Sequence, residues 1–229
     1  RLVHAVVIAA GLGTRLRPLT EHYAKPVLPV DGRPVLATLL RELEAAGLRE
    51  VTVVVGHLGH QVRRLAGDGS AFGLALRYAE QDRPHGSAHA VAAASPAPPY
   101  LVLGADTVFA RGDLGRFAAA FGASGAAGAV AVWPEPGGVV RLEGDAVREL
   151  GEAGGTHAAA PLWAVGAALA PLVAALDGPP PHGLATAFQQ AVDAGERVVG
   201  IPVARPRDLT SPLDLLVENF PYLEDLSDR

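Results

Sequence analysis

Residues 6–30 read VVIAAGLGTRLRPLTEHYAKPVLPV, an apolar run that breaks into a glycine loop and then a proline frame. The run from Ala5 to Ala10 predicts a strand covered on both faces, because it is apolar throughout and not at alternate positions only. Gly11 and Gly13 end it. Without Cβ atoms, their backbone lets N–H groups approach an anion closely and form a concave nest. Thr14, Arg15 and Arg17 follow, and the planar fork of Arg15 suits phosphate oxygens. Lys25 then stands in the rigid frame Lys25-Pro26-x-x-Pro29. Of the 19 Lys and Arg residues in the chain it is the single lysine. One ammonium kept beside a glycine loop, in a chain that otherwise uses arginine, points to a functional role.

Dinucleotide-binding proteins also open with a strand and a glycine loop. Their pattern needs a third glycine for close helix packing. Leu16 occupies that place, and Pro18 stands where the helix would begin, so a dehydrogenase reading is disfavoured. A P-loop is disfavoured too, since no Gly-Lys-Ser/Thr follows. From Ala9 to Pro29 the stretch instead resembles the signature of the sugar-1-phosphate nucleotidylyltransferases, those acting on glucose 1-phosphate and dTTP in particular. That signature is G-x-G-T-R-x-R-P-L-T followed by K-P-x-x-P. The resemblance implies an α/β fold of Rossmann-like nucleotidyltransferase type, with a mixed, mostly parallel sheet and helices on both faces. It also implies a single domain over residues 1–229.

Composition agrees with a packed α/β chain. Apolar residues make up 49 % of the 229, and the net charge of −5 carries no basic run suited to nucleic acid. The absence of cysteine removes disulfide and thiol chemistry and is compatible with a cytoplasmic setting. With no methionine, the native start is expected to be missing. Ala158 to Leu176 is uncharged and near the length of a membrane span. Pro161, Gly166 and Pro171 interrupt it and no aromatic or basic flank anchors it, so it is read as a strand and a helix. No membrane association is expected.

Along the chain, apolar spacing predicts a helix over Pro34 to Ala46 and a strand over Val51 to Val55. A short helix from His57 to Leu65 and a strand from Ala75 to Tyr78 follow. This alternation argues for parallel pairing with right-handed crossovers, and ligands in such sheets sit beyond the carboxyl ends of the strands. Later segments predict a helix over Leu114 to Phe121, a strand over Ala126 to Val132, and a hairpin excursion at about residues 133–150 on the acceptor side. A wall strand over Ala160 to Val165, a helix over Leu169 to Leu176 and a loop over residues 178–183 come next. The chain closes with a helix over Leu184 to Ala194, a strand over Arg197 to Val203 and a helix over Pro212 to Phe220.

Three further pieces carry chemistry. Gln81 to Ala90 reads QDRPHGSAHA. By itself it is a polar turn with Ser87 as a helix N-cap; it also resembles the family's Q-x-x-P-x-G-T-A-x-A. Tyr100 to Thr107 is a strand ending on Asp106, a hard oxygen donor suited to Mg²⁺ or a turn cap; it resembles L-x-N-G-D-T, with Gly104-Ala105 in place of N-G. Asp208 lies before Thr210 or Ser211 caps the last helix, and its surroundings resemble W-x-D-I-G-T-P-x-D-L. The pairs His57/His60 and His85/His89 have helical spacing, but no third ligand supports zinc.

The resemblance implies nucleotidyl transfer from an NTP to a sugar 1-phosphate, with release of pyrophosphate. It places Ala9, Ala10, Gly11, Leu12, Gly13, Thr14, Arg15, Gln81, Gly86 and Ser87 around the nucleotide. Arg15, Lys25, Asp106 and Asp208 are the expected catalytic set, and Asp106 and Asp208 the expected Mg²⁺ ligands. A Gln81 amide accepting from N3–H and donating to O4 favours dTTP or UTP, although turned over it fits cytosine. Glu152 falls where the family's sugar-binding glutamate would lie. The lysine that usually follows it cannot exist here, so Arg205 and Arg207 are the candidates for the acceptor phosphate. Alternatives are a cytidylyl- or guanylyltransferase with another phosphate acceptor, and a non-catalytic nucleotide-sugar-binding regulatory subunit. The sequence leaves the oligomeric state open.

Overall fold

The structure, a computed structural model, describes residues 4–176 and 183–220. The proline-rich loop expected at 178–183 lies outside the described residues except for Gly183. Strand β1 (His4–Ala9) runs into single turns of 3-10 helix at Thr14–Leu16, Leu19–Glu21 and Lys25–Val27. The two-residue strands β2 (Pro29–Val30) and β3 (Arg33–Pro34) lead to α1 (Val35–Ala45), then β4 (Glu50–Val55), α2 (Gly59–Ala66) and β5 (Ala75–Glu80). After these come α3 (Ser87–Ala94), β6 (Tyr100–Gly104), the short β7 (Thr107–Val108) and α4 (Asp113–Ser124). The rest is β8 (Gly128–Pro134), β9 (Val140–Glu143), β10 (Ala146–Leu150), β11 (His157–Val165), α5 (Ala170–Ala174), α6 (Leu184–Asp193), β12 (Val198–Pro202), β13 (Arg207–Asp208) and α7 (Pro212–Val217).

One nine-stranded sheet in the order β5-β4-β1-β6-β11-β8-β12-β10-β9 organises these elements. Strands β5, β4, β1 and β6 run parallel to one another, as the alternation predicted. Strand β11 enters antiparallel between β6 and β8, which makes the sheet mixed. The expected hairpin is present, and its two strands extend this sheet at the edge opposite β5.

Side chains on β1 alternate between two cores. Ala5, Val7 and Ala9 pack with Leu36, Leu40 and Leu43 of α1 and with Leu114 and Phe117 of α4. Val6 packs on the other side with Val91 of α3, Leu169, Val173 of α5 and Phe188 of α6. Both faces of the strand are therefore covered, which is why it is apolar at every position from Ala5 onward.

The chain builds β4 and β5 on one side of β1, then returns to place β6 on the other. That reversal is a topological switch point, where connections diverge and leave a crevice beyond the carboxyl ends of β1 and β6. The uncharged run Ala158 to Leu176 is split between β11 and α5, and no helix among the described residues is long and apolar enough to cross a membrane.

Candidate active site

The crevice holds two adjoining cavities. A cavity of about 410 Å³ is lined by Ile8, Ala9 and Gly11 from β1 and its loop, by Lys25, and by Val102 to Gly104 and Asp106 from β6. Ser87, Leu184 and the β11 residues Ala159, Ala160, Pro161 and Trp163 close it. A smaller one, about 210 Å³, is bordered by Gly11, Gly13, Thr14, Arg15, Lys25 and Asp106, with Leu209 and Thr210 opposite. Lys25 and Asp106 border both.

Gly13 adopts a left-handed conformation with φ of 60°, and a Cβ there would lie 2.8 Å from Thr20 Cγ2. Thr20 in turn donates to the Gly13 carbonyl at 2.8 Å, pinning the loop from behind. Arg15 is exposed and has no partner among the described residues. The Lys25 side chain is 12 % exposed, and its ammonium donates to Asp106 Oδ2. The ammonium expected at the α phosphate and one of the expected Mg²⁺ ligands therefore hold each other across the crevice.

Asp208 pairs with Thr107 in the β13–β7 ladder, one residue along from Asp106. Asp208 is exposed and lines none of these cavities, although the ladder sets it opposite Thr107, the chain neighbour of Asp106. Ser211 caps α7 with a capping box, and Asp214 accepts from the Thr210 and Ser211 N–H groups at 2.6 Å each. Burial pushes the Asp214 carboxyl up, but those two N–H groups, the Ser211 hydroxyl and the Lys25 charge outweigh it and hold the carboxyl below its usual range. Sequence reasoning passed over Asp214, although its position three residues after a Ser N-cap signals a capping box.

The second motif departs from expectation in two details. Gly86, not Ser87, is the N-cap of α3, with φ 103° and ψ 173°, a region open essentially to glycine alone. Ser87 opens the helix, and its hydroxyl accepts from Leu184 N at 2.9 Å, tying α3 to α6. Gln81 is 7 % exposed, and its amide nitrogen donates to the Gly86 carbonyl at 3.1 Å and meets His89 Nδ1 at 3.0 Å. Both amide protons are engaged within the chain, so the expected donation to O4 of a base is closed; only the accepting half of that reading is open. Gln81 faces a third cavity, about 610 Å³, which also takes in Ala10 and Leu12.

The acceptor candidates are not gathered. Arg207 was expected at the acceptor phosphate. Its guanidinium instead clasps Asp31 at 2.7 and 3.1 Å and donates to the Glu218 carboxylate. The hydrogen bond from Arg207 is the largest cause that holds the Asp31 carboxyl below its usual range. Alternation along β13 sends Arg207 away from Asp208, and two carboxylates meet it there. Arg205 and Glu152 are exposed, have no partner among the described residues and line none of these cavities.

On the acceptor side the wall is mostly carbon. Pro161 lies in an irregular stretch of β11, where the register to β8 shifts between Ala159 and Trp163. Proline there leaves no backbone donor to miss a ladder partner. A Cβ on Gly104 would fall 3.2 Å from Pro161 Cβ and 2.9 Å from Asp106 Oδ1, so the bare backbone at Gly104 makes room for Pro161. Trp163 packs edge-on against Phe188 of α6, with ring centroids 4.8 Å apart.

Comparison with known proteins agrees with this geometry. The glucose-1-phosphate thymidylyltransferase of Streptomyces antibioticus is 48 % identical over 87 residues, 38 % of this chain and 24 % of that protein. A CMP-5'-(3-aminopropyl)phosphonate synthase of Streptomyces rubellomurinus is 40 % identical over 150 residues, 63 % of this chain and again 24 % of the relative. The chain thus spans about a quarter of the length of these curated relatives. In fold, a putative glucose-1-phosphate thymidylyltransferase from Bacillus anthracis superposes with a TM-score of 0.84 at 18 % identity, over 96 % of this chain and 94 % of that one. The family model described as "Nucleotidyl transferase" matches residues 4–146, and the chain belongs to that family.

Proposed function

We propose that this chain catalyses nucleotidyl transfer from a nucleoside triphosphate to a phosphate-bearing acceptor, with release of pyrophosphate. The observation that carries the reading is the meeting of Gly11, Gly13, Arg15, Lys25 and Asp106 around one cavity at the sheet's switch point. Two polyanions have to be aligned in such a reaction, so positioning and charge neutralisation dominate. The attacking group is already an anionic phosphate oxygen and needs no general base. The glycine loop and Arg15 would cradle the β and γ phosphates, which leave together. Lys25 would neutralise charge at the α phosphate.

Asp106 and Asp208 fit a divalent cation of hard character. No cluster of three or more His, Asp or Glu residues that could hold a metal occurs among the described residues. Asp106 borders the cavity and Asp208 adjoins its Leu209–Thr210 edge in sequence; such carboxylates would suit Mg²⁺, which keeps several waters and completes its shell on substrate oxygens. When bound, Mg²⁺ would withdraw charge from the α phosphate and the acceptor phosphate.

On this reading the donor is a pyrimidine triphosphate, whose base would donate to the Gln81 carbonyl. For the acceptor, a sugar 1-phosphate is the family's general substrate. A second reading, a phosphate or phosphonate without a polyol, is favoured by the carbon wall of Ala159, Ala160, Pro161, Trp163 and Leu184. The phosphonate-handling relative is consistent with it. Pyrophosphate release, measured over a grid of NTPs against glucose 1-phosphate and small alkyl phosphates and phosphonates, tests all of this. A pyrimidine triphosphate with one acceptor class should stand out. GTP outperforming every pyrimidine would overturn the donor assignment. Tight NTP binding with no pyrophosphate from any pair would favour a regulatory binding subunit.

A further inference from the structure

We infer that His57 and Gln61 are positioning residues: they brace, from behind, the backbone that joins the glycine loop to Lys25. The inference rests on the nucleotidyl-transfer reading and extends it to two side chains outside the cavities at Lys25.

Residues 18–24 link the glycine loop to Lys25, and Glu21, His22 and Tyr23 in their middle are exposed. The hydrogen bonds inside this segment are local. Glu21 N donates to the Pro18 carbonyl at 3.0 Å, and Tyr23 N to that of Leu19 at 3.0 Å. Such turns set the curl of the segment but not its place against the sheet. From the chain beyond residue 27, three hydrogen bonds reach it among the described residues, and all come from α2 and the turn before it. Gln61 Oε1 accepts from Ala24 N at 2.8 Å, and Gln61 Nε2 donates to the His22 carbonyl at 2.7 Å. A backbone N–H at one end and a carbonyl at the other leave the amide a single orientation. His57 Nε2 lies 2.7 Å from the Thr20 carbonyl, which can only accept, so that nitrogen carries a hydrogen.

Both ends of the braced segment meet the site. Thr20, held at its carbonyl, donates its hydroxyl to the Gly13 carbonyl at 2.8 Å. Ala24, held at its N–H, is followed directly by Lys25, whose Cβ lies 3.5 Å from where a Cβ on Gly13 would stand. Neither His57 nor Gln61 borders either cavity at Lys25, so each acts through the backbone it holds. The turn that delivers His57 is tightly built. Leu58 has φ of 52°, left-handed backbone that a bulky side chain rarely adopts. A Cβ on Gly56 would fall 3.0 Å from the Ala10 carbonyl oxygen, so the turn packs directly on the chain leaving β1. Strain kept in a packed turn is typical of places where geometry serves a site.

The test is steady-state kinetics in both substrates for the wild type and three variants. Gln61→Met keeps the length of the side chain and loses both bonds. His57→Phe keeps a ring without the donor, whereas His57→Gln offers an amide donor at similar reach. Gln61→Met and His57→Phe should each lower kcat/KM for NTP by about tenfold to a hundredfold, since a small misplacement of Lys25 or the loop costs rate steeply. The acceptor KM should stay within about twofold, because its wall is built from other elements. His57→Gln should restore most of the loss. ¹⁵N NMR of the nucleotide-free wild type should show a hydrogen on His57 Nε2, a readout that does not depend on any variant folding. Unchanged NTP kinetics in either Gln61→Met or His57→Phe, an acceptor KM that rises as much as that for NTP, a His57→Gln as poor as His57→Phe, or a bare Nε2 would each overturn the inference. A wild type that releases no pyrophosphate with any substrate pair, its Nε2 protonated as described, would instead overturn the nucleotidyl-transfer reading beneath it.

Discussion

Lys25 and Asp106 sit as a partly buried pair, the lysine side chain 12 % and the aspartate 34 % exposed. An ammonium at that depth is a compact charge with room for little else. Lys25→Ala and Asp106→Ala should each lower kcat by about 10²–10³, the usual cost of one electrostatic group at a reacting centre. Circular dichroism of both variants should stay native. Lys25→Arg should fail as well, because a planar fork cannot replace the ammonium at the same depth. Retention of half the wild-type rate by either alanine variant would remove its assigned role. These residues were legible in the sequence because motif and chemistry agreed on them. Arg207 was not, because its partner Asp31 is 176 positions away and no local pattern announces that clasp. The Gln81 amide shows the same limit: its residue type was visible, but the carbonyl that fixes its orientation depends on how α3 begins.

At the scale of elements, the glycine loop and the Leu209–Thr210 link between β13 and α7 both border the smaller cavity. The loop's shape depends on Gly13, whose φ of 60° and crowded approach to Thr20 leave no room for a side chain. Gly13→Ala should destabilise the protein by about 1–3 kcal/mol, the range for strain at such a site. It should also raise the KM for NTP more than that for the acceptor. Thermal unfolding and two-substrate kinetics check both parts; an unaltered NTP KM would separate the loop from the nucleotide. Helices and parallel strands were legible here from apolar spacing and glycine stops, to within three residues at each end. Strand β11 was recognised as a wall, but its central place between β6 and β8 was not, since antiparallel insertion into a parallel sheet leaves no mark on a single strand. The pairing of Asp208 with Thr107 was equally hidden, being a two-residue ladder between distant segments.

The whole molecule reads as a sheet whose strand order reverses at β1, with a smaller charged cavity and a carbon-lined one meeting at Gly11, Lys25 and Asp106. The fold class was legible because the opening strand, loop and helix already dictate parallel winding. The acceptor was less so, because Glu152 and Arg205 are exposed and Pro161 replaces a backbone donor with bulk. The central claim is that the phosphorus atom transferred is the α phosphorus. It is tested most directly by incubating the protein, Mg²⁺ and the best acceptor with an α-³²P-labelled pyrimidine triphosphate and following the label. The account predicts that all converted label joins the acceptor in a phosphatase-resistant product, with one pyrophosphate released for each. Label appearing in nucleoside mono- or diphosphate, with inorganic phosphate in place of pyrophosphate, would contradict it.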